Sequence, residues 1–127
     1  MSPLVIVAVI VAGGLGSVLR YGVSLVFAAR SRETLLDRFP WAVLTVNSAG
    51  SLLAGIAAGL TAANIVSADA RLIIITGLAG GLTTFSTFTV ETVELFLRAR
   101  FARALISFGL NLTVGLVLAT TGFLIFR

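Results

Sequence analysis

Residues 77–92 read GLAGGLTTFSTFTVET, and this stretch decides how the chain is interpreted. Its adjacent glycines and the threonines that follow them disfavour a continuous helix, because glycine loosens the backbone and β-branched side chains crowd the preceding turn. We therefore expect a break near residues 80–83. In a membrane, the backbone groups that a break frees must be buried and hydrogen-bonded, and discontinuous helices of this kind commonly form ion sites.

Hydroxyl and phenyl side chains dominate the second half of this stretch. Residues 83–92 hold six Ser or Thr, whose hydroxyls can donate to an anion or accept from a cation, so they leave the sign of an ion open. Phe85 and Phe88 are three positions apart and share a helix face, with Glu91 on the same side. Two weakly positive phenyl edges could line an anion path, although packing against lipid or core is the plainer interpretation of two such residues.

The rest of the chain supplies the membrane context. Of its 127 residues, 58% are hydrophobic and 11% are charged, whereas a soluble domain carries about a quarter charged residues. A membrane-spanning helix needs about 20 mostly apolar residues. Such runs lie at about 4–27, 41–66, 72–97 and 104–126. We expect one all-α domain over residues 1–127 with four spans, and no cleaved secretory signal, because no basic segment precedes the first run.

Composition excludes several classes of function. The chain has no Cys and no His, which excludes disulfides, thiolate chemistry, zinc sites and imidazole bases. Its few acidic residues make a paired-carboxylate hydrolase improbable, so we do not expect an enzyme. The net charge of +4 is carried by Arg alone. These Arg residues are scattered between apolar runs and form no phosphate-tracking stripe, so we expect no nucleic-acid partner.

The arginines also predict orientation and are unevenly distributed between the two sides. Cytoplasmic connections carry an excess of Lys and Arg. The first and third connections hold Arg30, Arg32, Arg38, Arg98, Arg100 and Arg103, and the opposite side holds Arg71, Arg127 and the terminal amine. This excess predicts that the first and third connections are cytoplasmic and that both termini are external.

Four further polar positions lie inside the apolar runs. Asn47 begins a ridge of small residues at four-residue spacing, which is equally consistent with a packing seam and with a pore lining. Ser107 and Asn111 form a similar face in the fourth run. Arg20 lies deep in the first run, where its side chain can snorkel to the interface or raise the anion concentration at a pore mouth.

These motifs together resemble a known family. Residues 80–88, followed by Glu91, resemble the signature of the Fluc (CrcB) fluoride channels. The glycine-rich first run that ends in Gly16-x-x-x-Arg20 is similar to that of the family, as is Leu44-Thr-Val-Asn47 in the second run. The resemblance extends over the whole chain and implies a fluoride-selective passive channel in the bacterial cytoplasmic membrane, which lowers fluoride toxicity by export.

The resemblance also implies an assembly and roles for individual residues. The family forms an antiparallel dual-topology dimer with two separate pores. The phenylalanines that line the fluoride path match Phe85 and Phe88, and the pore asparagine that donates to the ion matches Asn47. The carbonyls that hold a structural sodium ion at the dimer axis match those of Gly80 and Thr83.

Other family positions match less uniformly. Ser86, Thr87 and Glu91 match polar positions along the path, and Arg20 matches a vestibule arginine. Ser107 and Asn111 stand where the family often has Tyr or Ser, so the contribution of the fourth span stays open.

Two alternatives remain for function and one for assembly. A proton-coupled small multidrug exporter also has four spans, but it needs a carboxylate in the middle of its first span, where this chain has none. A structural subunit that conducts nothing would not need a broken, hydroxyl-rich helix. The expected partners are lipid, fluoride and a second copy of the chain, although the Arg imbalance leaves a heterodimer with a related subunit open.

Overall fold

The computed structural model describes residues 2–31 and 39–127. Four helices within these ranges are long and apolar enough to cross a membrane, and no strand is present in the same ranges. The all-α prediction with four spans is therefore confirmed. The first span is α1 (Pro3–Arg30), the second is α2 (Trp41–Ala62), the third extends over Ala68–Leu97, and the fourth is α6 (Phe101–Phe126). Arg32 and Arg38 of the first connection lie outside the described residues.

The third span changes its backbone geometry along its length. It begins with α3 (Ala68–Leu72), continues as a π-helix (Ile73–Ala79) and returns to α-helix in α4 (Gly80–Leu82). Thr83 and Thr84 are then extended, with ψ of 159° and 118°, before α5 (Phe85–Leu97) begins. We call these two residues the Thr83–Thr84 link. Gly80 itself is helical, with φ of −64° and ψ of −37°.

Small residues let α1 cross the first half of the third span at close range. A Cβ atom on Gly16 would lie 2.7 Å from the backbone nitrogen of Leu82, and one on Gly81 would meet the carbonyl of Gly13. The Ser17 hydroxyl donates to the Gly13 carbonyl at 3.0 Å and lies 3.4 Å from the Gly81 carbonyl. Because any larger side chain at Gly16 or Gly81 would strike backbone, the glycine-rich run of α1 is used for packing.

The second and fourth spans pack along a straight seam. Asn47 contacts Asn111, which lies 64 positions later, and Gly115, Ala119 and Phe123 meet Ser51, Gly55 and Gly59 at the same offset. A constant offset means that the two helices run parallel. We call this contact the α2–α6 seam. It brings together the two small-residue ridges that the sequence predicts separately, and it positions α6 against the Thr83–Thr84 link.

Candidate functional site

Hydrogen bonds that normally continue a helix are redirected at the Thr83–Thr84 link. In an uninterrupted helix the Thr84 N–H would donate to the Gly80 carbonyl, and the Thr87 N–H would donate to the Thr83 carbonyl. Here the Thr84 N–H donates to Asn47 Oδ1 at 2.9 Å, and the Thr87 N–H donates to Thr84 Oγ1 at 3.2 Å. The carbonyls of Gly80 and Thr83 thus lose the donors that a continuous helix would supply.

Asn47 connects the link to the fourth span. Its Nδ2 donates to Asn111 Oδ1 at 3.0 Å and, at a longer 3.4 Å, to the Thr84 carbonyl. Asn111 Nδ2 in turn donates to the Ser107 carbonyl at 2.9 Å. We call this chain from Thr84 through Asn47 and Asn111 to Ser107 the amide relay. The relay joins α2 to α6 across the α2–α6 seam, and it also holds the Thr84 backbone of the link in place.

Thr84 caps the helix that follows it. Its hydroxyl donates to Thr87 Oγ1 at 3.0 Å, accepts from the Thr87 N–H and lies 3.3 Å from Ser86 Oγ. The side chain is buried, whereas Ser86 and Thr87 are exposed. Helix α5 therefore begins beside the link. The positive end of its dipole lies there and favours an anion.

A cavity of about 420 Å³ opens where the link meets α2 and α6. It is lined on the polar side by both amides of the relay and by hydroxyls of the second and third spans. Phenyl rings and Leu112 form the apolar side. The lining residues are Asn47, Ser51, Thr83, Thr84, Phe85, Phe88, Phe108, Asn111 and Leu112. Amide groups and phenyl rings thus line one space.

Three phenyl rings follow one another along this cavity. The ring centroids of Phe85 and Phe88 are 6.1 Å apart, and those of Phe88 and Phe108 are also 6.1 Å apart. The ring planes are tilted by 47° and 30°, and phenyl edges carry the positive part of the aromatic quadrupole. Phe85 is 79% exposed, so this chain alone covers little of it.

Sequence reasoning did not select Phe108 or Thr84. The signal for Phe108 was present, because it precedes Asn111 by three positions and therefore shares its helix face. The signal for Thr84 was weaker. A threonine within a hydroxyl-rich run can be recognised as a helix cap only when the start of the helix is known.

The other predicted residues lie outside this cavity in the described part of the chain. Arg20 is half-buried on α1, one turn after the crossing at Gly16. Glu91 is half-buried on α5, with its Oε2 atom shielded from solvent. Ser107 is 0% exposed, and its hydroxyl has no hydrogen-bond partner among the described residues. The structure therefore places Ser107 within the packing rather than on the cavity wall.

Backbone oxygens at the link are the candidate ligands for a cation. No group of three His, Cys, Asp or Glu side chains is present there that could hold a metal ion. The carbonyls of Gly80 and Thr83, displaced from helical bonding at the link, are the kind of oxygen ligand that a hard cation accepts. Gly80 is exposed on the surface of this chain, so a cation bound to its carbonyl would also be accessible to a second copy.

Comparison with known proteins gives a consistent result over nearly the whole chain. Residues 7–123 match a family model described as CrcB-like protein, Camphor Resistance (CrcB). A protein of Renibacterium salmoninarum named fluoride-specific ion channel FluC is 40% identical, covering 94% of this chain and 96% of the relative. Proteins with the same name from Thermus thermophilus and Nitrobacter winogradskyi are 40% and 44% identical, over 87% and 78% of this chain.

Proposed function

The chain belongs to the CrcB family, a family of ion channels rather than enzymes, and we propose that it conducts fluoride passively and selectively. As a member with four membrane-crossing helices, it is a multi-pass membrane protein. The observation that carries the proposal is the cavity at the Thr83–Thr84 link. Hydrogen-bond donors, a helix N-terminus and phenyl rings converge there, and none of the described residues that line the wall is acidic.

The chemistry of that wall suits fluoride. Fluoride is small and strongly hydrated, so a selective path must replace the hydrogen bonds of water with those of the protein. The relay amides and the edges of Phe85 and Phe88 supply such donors, whereas the hydroxyls of Thr83 and Thr84 already donate to the Ala79 carbonyl and to Thr87 Oγ1. Ser86, Thr87 and Glu91 continue the polar track along α5, and Arg20 raises the local concentration of anions. Asn111 is the contribution of the fourth span to this wall, and Ser107 contributes only the backbone carbonyl that accepts from Asn111.

A single copy leaves this path open on one side. Phe85, Ser86 and Thr87 are exposed at mid-span, where a lone chain would present hydroxyls to lipid at a cost in free energy. A second copy that covers α5 would remove this cost and close the cavity. An antiparallel homodimer with one path on each side is the proposed assembly, and a heterodimer with a related subunit is its alternative.

The redirected hydrogen bonds at the link support a sodium ion at the centre of this dimer. The carbonyls of Gly80 and Thr83 from both copies would hold it. Bound there, sodium would neutralise carbonyl dipoles that lipid cannot satisfy. Exchange of Na⁺ for N-methyl-D-glucamine should lower the thermal stability of the purified dimer, and an unchanged melting temperature would remove this part of the proposal.

The physiological role follows from passive conduction. Fluoride enters an acid-exposed cell as neutral HF and ionises inside. A channel in the plasma membrane then lets the anion leave down its gradient and lowers fluoride toxicity without coupling to another ion.

Flux measurements test the function directly. The purified chain, reconstituted in liposomes loaded with fluoride or with chloride, should release fluoride rapidly and chloride hardly at all. Equal rates for the two anions would refute selectivity, and release of neither would refute conduction.

Cysteine labelling tests the assembly, since the chain contains no native Cys. Ala63→Cys in the second connection and Ala102→Cys at the start of α6 are both at exposed positions. In a dual-topology population, an impermeant thiol reagent added outside should label part of each variant. Labelling of one variant only, together with no flux from the lone chain, would favour the heterodimer.

A further inference from the structure

A second cavity, of about 540 Å³, lies between the first two spans. Its walls are side chains of α1 between Val18 and Phe27 and, on α2, Thr45. None of the described residues that line it belongs to the third or fourth span, so it is separate from the cavity at the Thr83–Thr84 link. We call this cavity the α1–α2 groove.

The groove begins where α1 leaves the third span. At Gly16 the two backbones are so close that a Cβ atom would lie 2.7 Å from the nitrogen of Leu82, whereas a Cβ on Gly22 would meet no atom within 4 Å. The one hydroxyl on the wall, that of Thr45, donates to the Trp41 carbonyl at 2.8 Å. The walls are therefore apolar, and because lipid tails are as apolar as Leu, the walls alone do not distinguish an acyl chain from a protein side chain.

The end of the groove nearest the first connection carries a charge. Arg30 is the last residue of α1 and is exposed. It lies four positions after Val26 and three after Phe27, so it continues the face of α1 that lines the groove. A guanidinium group at this position presents a planar set of donors that matches phosphate.

An aromatic residue flanks the same end on the opposite wall. Trp41 lies four positions before Thr45 and therefore shares its face of α2. Its indole ring is exposed and packs on Phe39, with ring centroids 4.6 Å apart. Tryptophan is enriched where a membrane meets water, at the level of the lipid headgroups. Arg30 and Trp41 thus mark this end as the headgroup end.

The length of the groove matches one leaflet. Residues 18–27 extend over about 14 Å at 1.5 Å per residue, and half of the hydrocarbon core is about 15 Å thick. A chain whose headgroup lies at Arg30 would fill the groove to about the bilayer midplane. A second copy of the protein seated here would instead cover Arg30, and burial of a guanidinium is costly unless a carboxylate pairs with it.

We propose that the α1–α2 groove binds one anionic phospholipid, with an acyl chain along residues 18–27 and the headgroup phosphate at Arg30 beside Trp41. A zwitterionic lipid offers the same phosphate together with a cation, so Arg30 prefers a lipid of net negative charge. This site is independent of fluoride conduction, since the groove shares no described lining residue with the cavity at the link.

The single tryptophan of the chain is a built-in reporter for this site. The full-length protein is reconstituted in bilayers of phosphatidylglycerol and phosphatidylcholine, with bromine on the acyl chains of one lipid at a time. Bromine quenches tryptophan emission at short range, so the dependence on lipid ratio gives a relative binding constant at Trp41. Phosphatidylglycerol should bind more tightly than phosphatidylcholine. Equal binding of the two lipids would overturn the proposal, as would the absence of quenching by either, which would indicate that protein covers the groove.

A matched pair of arginine variants separates the site from general surface charge. Arg30→Gln keeps a long polar side chain and removes the charge, and it should lower the relative binding constant about fivefold, the attraction that one Arg provides near an anionic surface. Arg98→Gln makes the same exchange at an exposed arginine at the end of α5 and should keep the parent value. An equal decrease in both variants would show that only bulk charge attracts the lipid and would overturn the site.

A second pair tests the groove itself. Gly22→Leu places a side chain in the open space, so the acyl chain loses its seat and the relative binding constant should fall toward one. Gly109→Leu makes the same exchange on α6, where an added Cβ also meets no atom within 4 Å, and should keep the parent value. An unchanged constant in a folded Gly22→Leu protein would show that the groove holds no chain. The two arginine variants alter only exposed side chains, so they decide the proposal even if Gly22→Leu does not fold.

Discussion

The α2–α6 seam and the Thr83–Thr84 link lie side by side but differ in how their backbones pack and form hydrogen bonds. Along the seam, both helices keep one register from Asn47 to Gly59, and backbone packs on backbone through glycine. At the link, the backbone leaves the helix and gives its hydrogen bonds to side chains. At Gly55 and Gly59 the seam has no room for an added Cβ atom, whereas the link leaves a cavity. A close-packed pair of helices thus lies beside an interrupted one, and the proposed fluoride path lies between them.

The seam should be the more fragile of the two regions toward added volume. A Cβ on Gly55 would fall on the backbone of Ala119, which cannot move without separating α2 from α6. Gly55→Leu should therefore lose the folded dimer, since overpacking at even a few atoms costs about 1–3 kcal/mol and this site offers no side chain to displace. Size-exclusion profiles of the purified variant measure this loss.

Gly109→Ala on α6 is the matched control, because a Cβ there meets nothing within 4 Å. It should leave the dimer intact and increase its stability by about 0.5–1 kcal/mol through helix propensity. A Gly55→Leu variant that elutes and melts like Gly109→Ala would mean that the seam is not close-packed.

The link region should be sensitive to chemistry rather than to volume. Phe88→Ile keeps an apolar side chain of comparable bulk but removes the aromatic ring that lies between Phe85 and Phe108. We expect fluoride flux to fall about 100-fold, as for loss of a donor aimed at a desolvated charge, with the dimer retained. Phe85→Ile should behave in the same way.

Phe101→Ile provides the control for the phenyl prediction, because Phe101 pairs with Phe96 at 4.9 Å and is not among the residues that line the cavity. Its flux should match that of the parent. If Phe88→Ile and Phe85→Ile also match the parent, the rings serve only packing.

These two regions also differ in how far sequence reasoning reaches. The four spans and the ridge that starts at Asn47 are predictable, because apolar runs of sufficient length and four-residue spacing of small residues depend only on local periodicity. The packing of the α2 ridge on the α6 ridge that contains Asn111 is a tertiary contact. Four-residue spacing in two separate helices does not determine it.

The link shows where local rules fall short. Glycine pairs predict weakness in a helix, and the expectation placed the break near residues 80–83. In the structure Gly80 is helical and the extended residues are Thr83 and Thr84. Asn47 and Thr84 account for this position, because the Asn47 amide takes the Thr84 N–H and the Thr84 hydroxyl caps α5. Neither bond can be read from the spacing of the glycines.

The cap at Thr84 should contribute a smaller, measurable part of the stability of the link. Thr84→Val keeps the β-branched shape but removes the oxygen that accepts from the Thr87 N–H. Loss of an N-cap costs about 1 kcal/mol, so the melting temperature should fall slightly and flux should fall with it. Thr84→Ser keeps the oxygen and should lie close to the parent. Equal melting temperatures for the Val and Ser variants would show that packing alone, without the cap, stabilises the start of α5.

Replacement of Ser107 should have the smallest effect on flux and stability, and it distinguishes residues of the seam from residues of the proposed path. Its side chain is fully buried and its hydroxyl has no partner in the described part of the chain, while the relay uses only its backbone carbonyl. Ser107→Ala keeps that carbonyl and removes an unpaired buried oxygen, whose burial costs about 1–3 kcal/mol. We therefore expect unchanged fluoride flux and an equal or higher melting temperature, measured beside Phe88→Ile as the variant with reduced flux. A Ser107→Ala variant that loses flux while its dimer stays stable would place this hydroxyl on the fluoride path and move the boundary of the path into the seam.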